Sequence, residues 1–175
     1  MFEITKRDGL ARIGKLETRH GVLETPALLP VVNPKINTVT PRELYDEFGF
    51  RALITNSYII KNTPDLKAKA EEVGLHEMLD FPGVIMTDSG TFQSYMYGEV
   101  EVTNDEMVNF QKAIGTDIGT VLDIFTEPNW TKERTAEAIR VTLERTRHAC
   151  DIKGEMMING VGQGSIFPDL REECA

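Results

Sequence analysis

Four apolar runs along the chain each end on a single polar residue that can form hydrogen bonds. The residues that end the runs are Asn56, Asp88, Asp123 and Gln163, and they lie roughly 32 to 40 positions apart, about one strand and one helix. In a parallel barrel all strands open their carboxyl ends onto one face, which carries the functional side chains. The pattern therefore predicts one pocket with two carboxylates and two amides, a set that suits a neutral, nitrogen-rich ring better than a phosphate. For any single position a local explanation stays open, because Asn and Asp often end strands where turns begin.

Strand signals alternate with helix signals through the whole sequence. Residues 3–24 alternate around the turn signals Asp8-Gly9 and His20-Gly21, which predicts short antiparallel strands in a hairpin cap. The continuous apolar run Ala27–Val32 is typical of a buried parallel strand. Capping residues, prolines and glycines predict helices from Thr40 to Gly49, over 64–73, from Thr103 to Gly115, over 132–152 and from Pro168 onward.

This alternation indicates an α/β fold with a parallel sheet and right-handed crossovers. We expect residues 1–26 to form the antiparallel cap and residues 27–175 to form five strands with their crossovers. The sequence stops a few residues into a helix, and a domain that ended there would expose an apolar sheet edge. We therefore expect either a fragment or a second polypeptide that completes the sheet. With 175 residues the chain is short for a closed eight-stranded barrel, which takes about 250.

Composition and charge narrow the classes of function. The chain is 41% hydrophobic and 27% charged, and its formal net charge of −9 argues against nucleic-acid binding by bulk electrostatics. Two local clusters of Lys and Arg, near the N-terminus and over 132–153, fit either solvated faces or a track for phosphates. No apolar run approaches the roughly 20 residues of a membrane span, and the start has no signal-peptide core. We therefore expect a cytoplasmic protein that does not enter a membrane.

The residue types that bind metals form no set that can be recognised from spacing. Cys150 and Cys174 lack CxC or CxxC spacing, so they predict neither a zinc site nor a disulfide framework. His20, His76 and His148 are scattered along the sequence, and we interpret each as a surface or packing residue. Gly160-x-Gly-x-Gly164 does not have the GxGxxG spacing of a dinucleotide site.

The segment from Thr87 to Gln93 is the most specific motif. A carboxylate, a hydroxyl, a flexible glycine and an aromatic ring follow a buried strand within five residues, at Asp88, Ser89, Gly90 and Phe92. Proteins hold an extruded nucleobase by stacking an aromatic ring on it while polar groups bind its edge. The segment therefore predicts a base-binding site, with a core position as the alternative for Phe92.

Several segments in this sequence resemble the tRNA-guanine transglycosylase family. They run in family order and at family spacing over essentially the whole chain, at Thr25-Pro26, 30–35, 54–60, 87–93, Tyr97-Gly98, 101–104, 122–124 and 163–165. The segments Asn33-Pro34-Lys35 and 56–60 resemble the archaeal, archaeosine branch more than the bacterial, queuine branch.

The resemblance implies a (β/α)8 TIM barrel, of which this chain would supply about the first five strand–helix units after its N-terminal β-hairpin. It implies an enzyme, a pentosyltransferase that exchanges guanine-15 in the D-loop of tRNA for 7-cyano-7-deazaguanine (preQ0). The resemblance also implies roles for individual residues. Asp88 would be the catalytic carboxylate, Ser89 would line the pocket, and Phe92 would stack on the base. Asp123 would bind the guanine N1–H and amino group, and Gln163 and Gly164 would contact the same base.

Parts of the family pattern are not found in this sequence. The family's aspartate nucleophile and its CxCxxC…H zinc site lie on later strands, and the archaeal RNA-binding domains follow them. We therefore expect zinc in the complete enzyme, ligands for it outside this chain, and an oligomer with a second polypeptide. Phe125 and Glu127 stand where the archaeal motif has prolines. The alternative function is a non-catalytic subunit that docks tRNA as a scaffold.

Overall fold

Residues 1–36, 38–92 and 102–175, described here from a computed structural model, contain two separate sheets. The first is antiparallel and comprises β1 (Phe2–Asp8), β2 (Ala11–Thr18) and β3 (Gly21–Thr25) in that order. The chain reverses at the turn signals around Gly9 and Gly21, both of which have positive φ. The N-terminal cap is therefore a three-stranded meander rather than a single hairpin.

The second sheet is parallel, as the strand–helix alternation predicts. It contains β4 (Ala52–Asn56), β5 (Val84–Asp88), β6 (Ile118–Thr120) and β7 (Met157–Asn159), hydrogen-bonded in sequence order. The register of β4 on β5 pairs Leu53 with Ile85 and Asn56 with Asp88. The ends of these two strands therefore lie side by side.

The predicted buried strand over Ala27–Val32 is wrong in extent and in burial. This segment makes a single parallel bridge, Val31 to Ile54, through backbone bonds of Val32 N–H to Ile54 O and of Ile54 N–H to Pro30 O. Val31 is 83% exposed. Pro30 has no N–H to donate to a ladder, and among the described residues only β4 lies beside the segment.

Helices cover one face of the parallel sheet. They are α1 (Pro41–Asp46), α2 (Ser57–Lys61), α3 (Pro64–Val73), α4 (Leu75–Leu79), α5 (Asn104–Ala113), α6 (Lys132–Ile152) and α7 (Pro168–Cys174). The capping boxes predicted at Thr40 and Thr103 are both formed. The short helices α2 and α4 were not predicted from the sequence.

Strand alternation decides which side chains enter the core and which line the other face of the sheet. Leu53 and Ile85 are fully buried and pack with Ile60, Leu75 and Phe110 from the helices. Asn56 and Asp88 lie on the opposite face, and both are half-buried. The polar strand ends are thus held on a rigid, packed sheet while their side chains stay accessible. No helix in the described ranges is both long and apolar enough to cross a bilayer.

The predicted strands over 119–123 and 156–162 are each shortened to three residues. At β6 the reason is visible in the hydrogen bonds. Beyond Thr120, side chains take the place of the ladder, because Leu122 N–H donates to Asn104 Oδ1 and Ile124 N–H donates to Thr142 Oγ1. Asp123 therefore lies in a segment without ladder pairing whose path is set by side chains.

Candidate functional site at the carboxyl ends of the parallel strands

The four predicted strand-end residues lie together as two hydrogen-bonded pairs. Asn56 Nδ2 donates to Asp88 Oδ2 at 3.3 Å, and Gln163 Nε2 donates to Asp123 Oδ2. The backbone of the segment around Asp123 is joined to the loop after Asp88, because Thr91 Oγ1 donates to Asp123 O at 3.3 Å. The four residues therefore lie together at the end of the sheet where the strands finish, as the strand pattern predicts.

Asn56 also has the local role that its residue type suggests. Its Oδ1 accepts a hydrogen bond from Ile59 N–H at 2.9 Å and thereby caps the start of α2. Because the amide oxygen is used in the cap, the amide NH₂ is turned toward Asp88. Asn56 therefore caps a helix and contacts Asp88 at the same time.

The loop after Asp88 is held in a tight turn. Gly90 N–H donates to Asp88 Oδ1 at 3.2 Å, so both carboxylate oxygens of Asp88 accept a hydrogen bond. Gly90 has φ +90°, and a Cβ there would lie 2.3 Å from Tyr58 Cβ. Glycine is therefore required at this position. Ser89 is buried and its hydroxyl donates to Val121 O at 2.8 Å, which ties this loop to the end of β6.

Asp123 is the more unusual of the two carboxylates. Burial raises the pKa of Asp123, the negative charge of Asp88 raises it further, and hydrogen bonds from Thr91 and Gln163 offset only part of this. Gln163 Oε1 accepts from Thr126 Oγ1 at 3.2 Å, which leaves the Gln163 NH₂ to face Asp123. A desolvated carboxylate beside an amide is suited to accept N–H groups from a flat heterocycle.

Two aromatic rings stand beside the carboxylates. Phe92 is 53% exposed and meets Phe125 edge to face, with 6.1 Å between ring centroids. The core alternative for Phe92 is therefore wrong, because a core ring would be buried. Phe125, one of the two departures from the family motif, contacts the ring that the resemblance assigns to base stacking. The second departure, Glu127, accepts a hydrogen bond from Trp130 Nε1 at 3.1 Å.

Gly164 closes the site on the side of α7. It has φ +132°, and a Cβ there would lie 2.6 Å from the backbone nitrogen of Arg171. A cavity of about 310 Å³ lies next to it, lined by Thr126, Gly162, Gln163, Ser165 and Arg171. A larger cavity of about 990 Å³ lies at the other end of the sheet, between the N-terminal sheet and residues 49–52, away from the polar strand ends.

Some sequence-based assignments lie outside the described residues. They are Gln93, at the end of the base-binding motif, and Tyr97-Gly98 and Glu101, which contributed to the family resemblance. Other residues that support the site were not assigned to it from the sequence, because a single polar residue in a helix forms no motif that indicates such a role. Asn104, Gln111 and Arg145 are of this kind, and all three donate or accept at the backbone around Asp123.

Two of the histidines, interpreted from the sequence as surface or packing residues, pack against each other on one carboxylate. His20 Nδ1 lies 2.8 Å from Asp117 Oδ1, His76 Nε2 lies 3.1 Å from Asp117 Oδ2, and the two rings stack with centroids 3.4 Å apart. Distance in the sequence hid this contact, which the fold creates between the turn before β3, the helix α4 and the start of β6.

Within the described ranges, these three residues are the group whose ligand atoms lie close enough to share a metal ion. The ring geometry favours hydrogen bonding instead. A metal binds in the plane of an imidazole ring, and an ion shared by two nearly parallel rings 3.4 Å apart would lie well out of both planes. His76 Nε2 also lies 3.1 Å from Gly83 O, as expected of a protonated donor nitrogen. The cluster ties the N-terminal sheet to the amino end of the parallel sheet.

The two cysteines do not provide the zinc site that the resemblance implies. Cys150 is exposed on α6, and Cys174 Sγ accepts from Gln163 N–H at 3.3 Å. Neither belongs to the ligand cluster of His20, His76 and Asp117.

Comparisons with known proteins identify the family. A family model described as queuine tRNA-ribosyltransferase matches residues 7–175. Proteins named tRNA-guanine(15) transglycosylase from Thermococcus onnurineus, Methanosphaera stadtmanae and Haloarcula marismortui are 55%, 48% and 48% identical over 99% of this chain. The chain spans only 30%, 25% and 36% of those relatives. The resemblance predicted from the motifs is confirmed, and the chain belongs to the queuine tRNA-ribosyltransferase family.

Proposed function

We propose that this chain is the first part of a (β/α)8 barrel that exchanges guanine-15 in the D-loop of tRNA for preQ0. The position in the tRNA follows the name that its relatives carry. The parallel order of β4 to β7 supports the barrel, since consecutive parallel neighbours are what a barrel needs. The tRNA, the free base and the cytoplasmic location of the reaction belong to this proposal.

One observation carries the proposal most directly. Asp123, with its raised pKa, and Gln163 lie side by side near the paired Asp88 and Asn56, with the exposed ring of Phe92 on the loop that follows Asp88. An ionised Asp123 accepts the N1–H and amino N–H of a guanine-like edge, and such charge-assisted bonds are the stronger ones. Phe92 stacks on the face of the base. A scaffold subunit would have no need of this arrangement.

The reaction is a double displacement at the ribose anomeric carbon. A carboxylate oxygen attacks C1′ as the bond from C1′ to guanine N9 breaks, and guanine leaves with a proton. The corresponding nitrogen of preQ0 then loses its proton and attacks C1′, which releases the carboxylate. Asp88, once protonated from solvent, gives the first proton to guanine and takes up the second from preQ0. The attacking carboxylate comes from a later strand, supplied by further residues or by a second polypeptide.

The zinc site is proposed to lie in that same remainder of the fold, because the family's CxCxxC…H motif lies on later strands. We assign it no step in the reaction. The residues of this chain bind the base, exclude water from its edge and move its protons.

Incorporation of radiolabelled guanine into cognate tRNA tests the function. In the complete enzyme, Asp88→Ala should lower single-turnover exchange by about 10² to 10⁴-fold, the usual contribution of a positioned proton donor. Binding of tRNA in a gel shift should stay unchanged, since one pocket carboxylate does not hold a phosphate backbone. If the wild-type assembly binds tRNA but exchanges no base, the scaffold function replaces this one.

A further inference from the structure

The backbone that carries Asp123 is held by side chains on two helices. Gln111, fully buried on α5, accepts from Thr120 N–H at 3.0 Å and donates to Thr120 O at 2.9 Å. Two residues further on, Asn104 Oδ1 accepts from Leu122 N–H at 3.1 Å. Arg145 of α6 donates to Leu122 O at 2.6 Å. Both backbone groups of Leu122, its N–H and its C=O, are therefore hydrogen-bonded to side chains.

The arrangement follows from helix geometry. Asn104 and Gln111 are seven residues apart on α5, two helical turns, so both amides face the exit of β6. Asn104 Nδ2 also reaches Arg145 O at 3.5 Å, which joins the two helices that hold Leu122. From the other side, Ser89 and Thr91 donate to Val121 O and Asp123 O. The path of the segment is thus set independently of any strand ladder.

We propose that Asn104 and Arg145 are positioning residues for base recognition by Asp123, a role that rests on the proposed function. A carboxylate that reads two N–H groups of one ring edge must be placed to within about 0.5 Å. Leu122 is joined to Asp123 by one peptide bond, so the position of Leu122 limits where the Asp123 carboxylate can lie. Holding Leu122 N–H and C=O together fixes the peptide plane that leads into Asp123. Neither Asn104 nor Arg145 has to touch the base.

Asn104→Ala tests the proposal in the complete enzyme, with steady-state exchange measured against both free guanine and tRNA. The substitution leaves Leu122 N–H without its acceptor. We expect the KM for guanine to rise about tenfold, while kcat and the KM for tRNA change by less than about threefold. Asn109→Ala is the matched control, since Asn109 lies on the same helix and is exposed.

Asn104→Asp is the rescue variant, because its carboxylate still accepts from Leu122 N–H. It should restore the KM for guanine to within about threefold of the wild type. Arg145→Met removes the bond to Leu122 O from the other helix and should raise the same KM, so the test survives even if Asn104→Ala does not fold. Unchanged guanine KM in both variants, or an equal rise in Asn109→Ala, overturns the proposal. Failure of the proposed function is distinct, since the wild type itself would then show no exchange.

Discussion

At the residue scale, the site separates two carboxylates into different environments. Both oxygens of Asp88 accept hydrogen bonds, one from Asn56 and one from Gly90 N–H. Burial and the negative charge of Asp88 both raise the pKa of Asp123. A pair of carboxylates in unlike surroundings can divide the work. Under the proposed function, Asp88 transfers protons and Asp123 recognises the base.

Replacing the recognition carboxylate should weaken base binding. Asp123→Asn presents an N–H group where the guanine edge also donates, and a mismatched buried polar pair costs about 1–3 kcal/mol, or roughly 10 to 100-fold in affinity. Competition between preQ0 and labelled guanine on the complete enzyme measures the loss. Asp151→Asn, a change of the same type at an exposed position of α6, should have no effect. Equal preQ0 affinity in Asp123→Asn would remove this residue from the pocket.

The raised pKa of Asp123 makes base affinity depend on pH. The ionised form accepts the N–H groups, so affinity should fall as pH decreases through the Asp123 pKa, at a pH above the ordinary value of about 3.9. Asp88→Asn removes a charge that raises this pKa, so the midpoint should move to lower pH. Guanine affinity titrated by calorimetry in both proteins gives the midpoints. An identical midpoint in the two would show that the carboxylates do not interact.

At the element scale, the sequence predicts those features that depend on near neighbours. The capping box at Thr103 with Glu106 needs only residues three apart, and its helix is present as Asn104–Ala113. The strand over 119–123 fails after Thr120, because Asn104 and Arg145 replace the ladder at Leu122, and no local pattern shows a bond made from another element. For the same reason the sequence did not predict the contact of His20 with His76. These residues are 56 positions apart, and both hydrogen-bond to Asp117.

The two ends of the parallel sheet have different roles. Asp117 and His76 lie at the amino end, and Asp88 and Asp123 lie at the carboxyl end. In barrels the amino end contributes to stability and the carboxyl end to chemistry. Asp117 is fully buried, accepts from Ile85 N–H at 2.9 Å and binds the turn that leads into β3. The histidine cluster therefore fastens the N-terminal sheet to the parallel sheet.

Asp117→Asn should therefore change stability and its pH dependence without affecting base binding. Burial raises the pKa of Asp117, but hydrogen bonds from His76, Ile85 N–H and His20 outweigh it and the pKa is lowered. A lowered pKa means that the stabilisation is present above the unfolded pKa of about 3.9 and is lost as pH falls through the folded value. At pH 7 we expect a loss of about 2 kcal/mol in Asp117→Asn.

Thermal melts of the complete enzyme from pH 3 to pH 7 measure this difference. The gap between wild type and Asp117→Asn should be widest at pH 7 and should narrow below about pH 4. Asp65→Asn, at an exposed site on α3, should leave the melting temperature unchanged at every pH. A gap that is the same at pH 3 and pH 7 would mean that the ionised carboxylate is not the source of the stabilisation.

At the scale of the whole molecule, acidic residues outnumber basic ones, and several basic side chains of α6 have partners within the chain. On α6, Arg140 pairs with Glu137 and Glu144, and Lys132 pairs with Asp169. Arg134 stacks on Trp130 at 3.7 Å, and Arg145 points inward to Leu122 O. These contacts favour a solvated face over a phosphate track on this helix. Under the proposed function, we therefore expect the tRNA phosphates not to lie along α6.

Under the proposed function, the edge of the parallel sheet at the segment around Val31 is one place where further strands complete the barrel. Large apolar side chains are exposed before α1 and just after it, where Leu28, Val31 and Phe48 are 71%, 83% and 61% exposed. Among the described residues Val31 pairs only with Ile54 of β4. Apolar side chains along an unpaired strand edge are a surface that native proteins cover, and closure of a barrel removes such edges.

We therefore predict that residues 1–175, prepared alone, are inactive in guanine exchange and associate tightly with the residues that complete the barrel and its zinc site. That interface should exceed roughly 2,000 Å², the size of obligate contacts. Size-exclusion chromatography with light scattering, together with metal analysis, measures the association, and mixing the two parts should restore exchange. Val31→Lys, at the exposed edge, should weaken the association, whereas Val22→Lys on the N-terminal sheet should not. A stable, zinc-free monomer that melts cooperatively and exchanges guanine would show that these residues suffice by themselves.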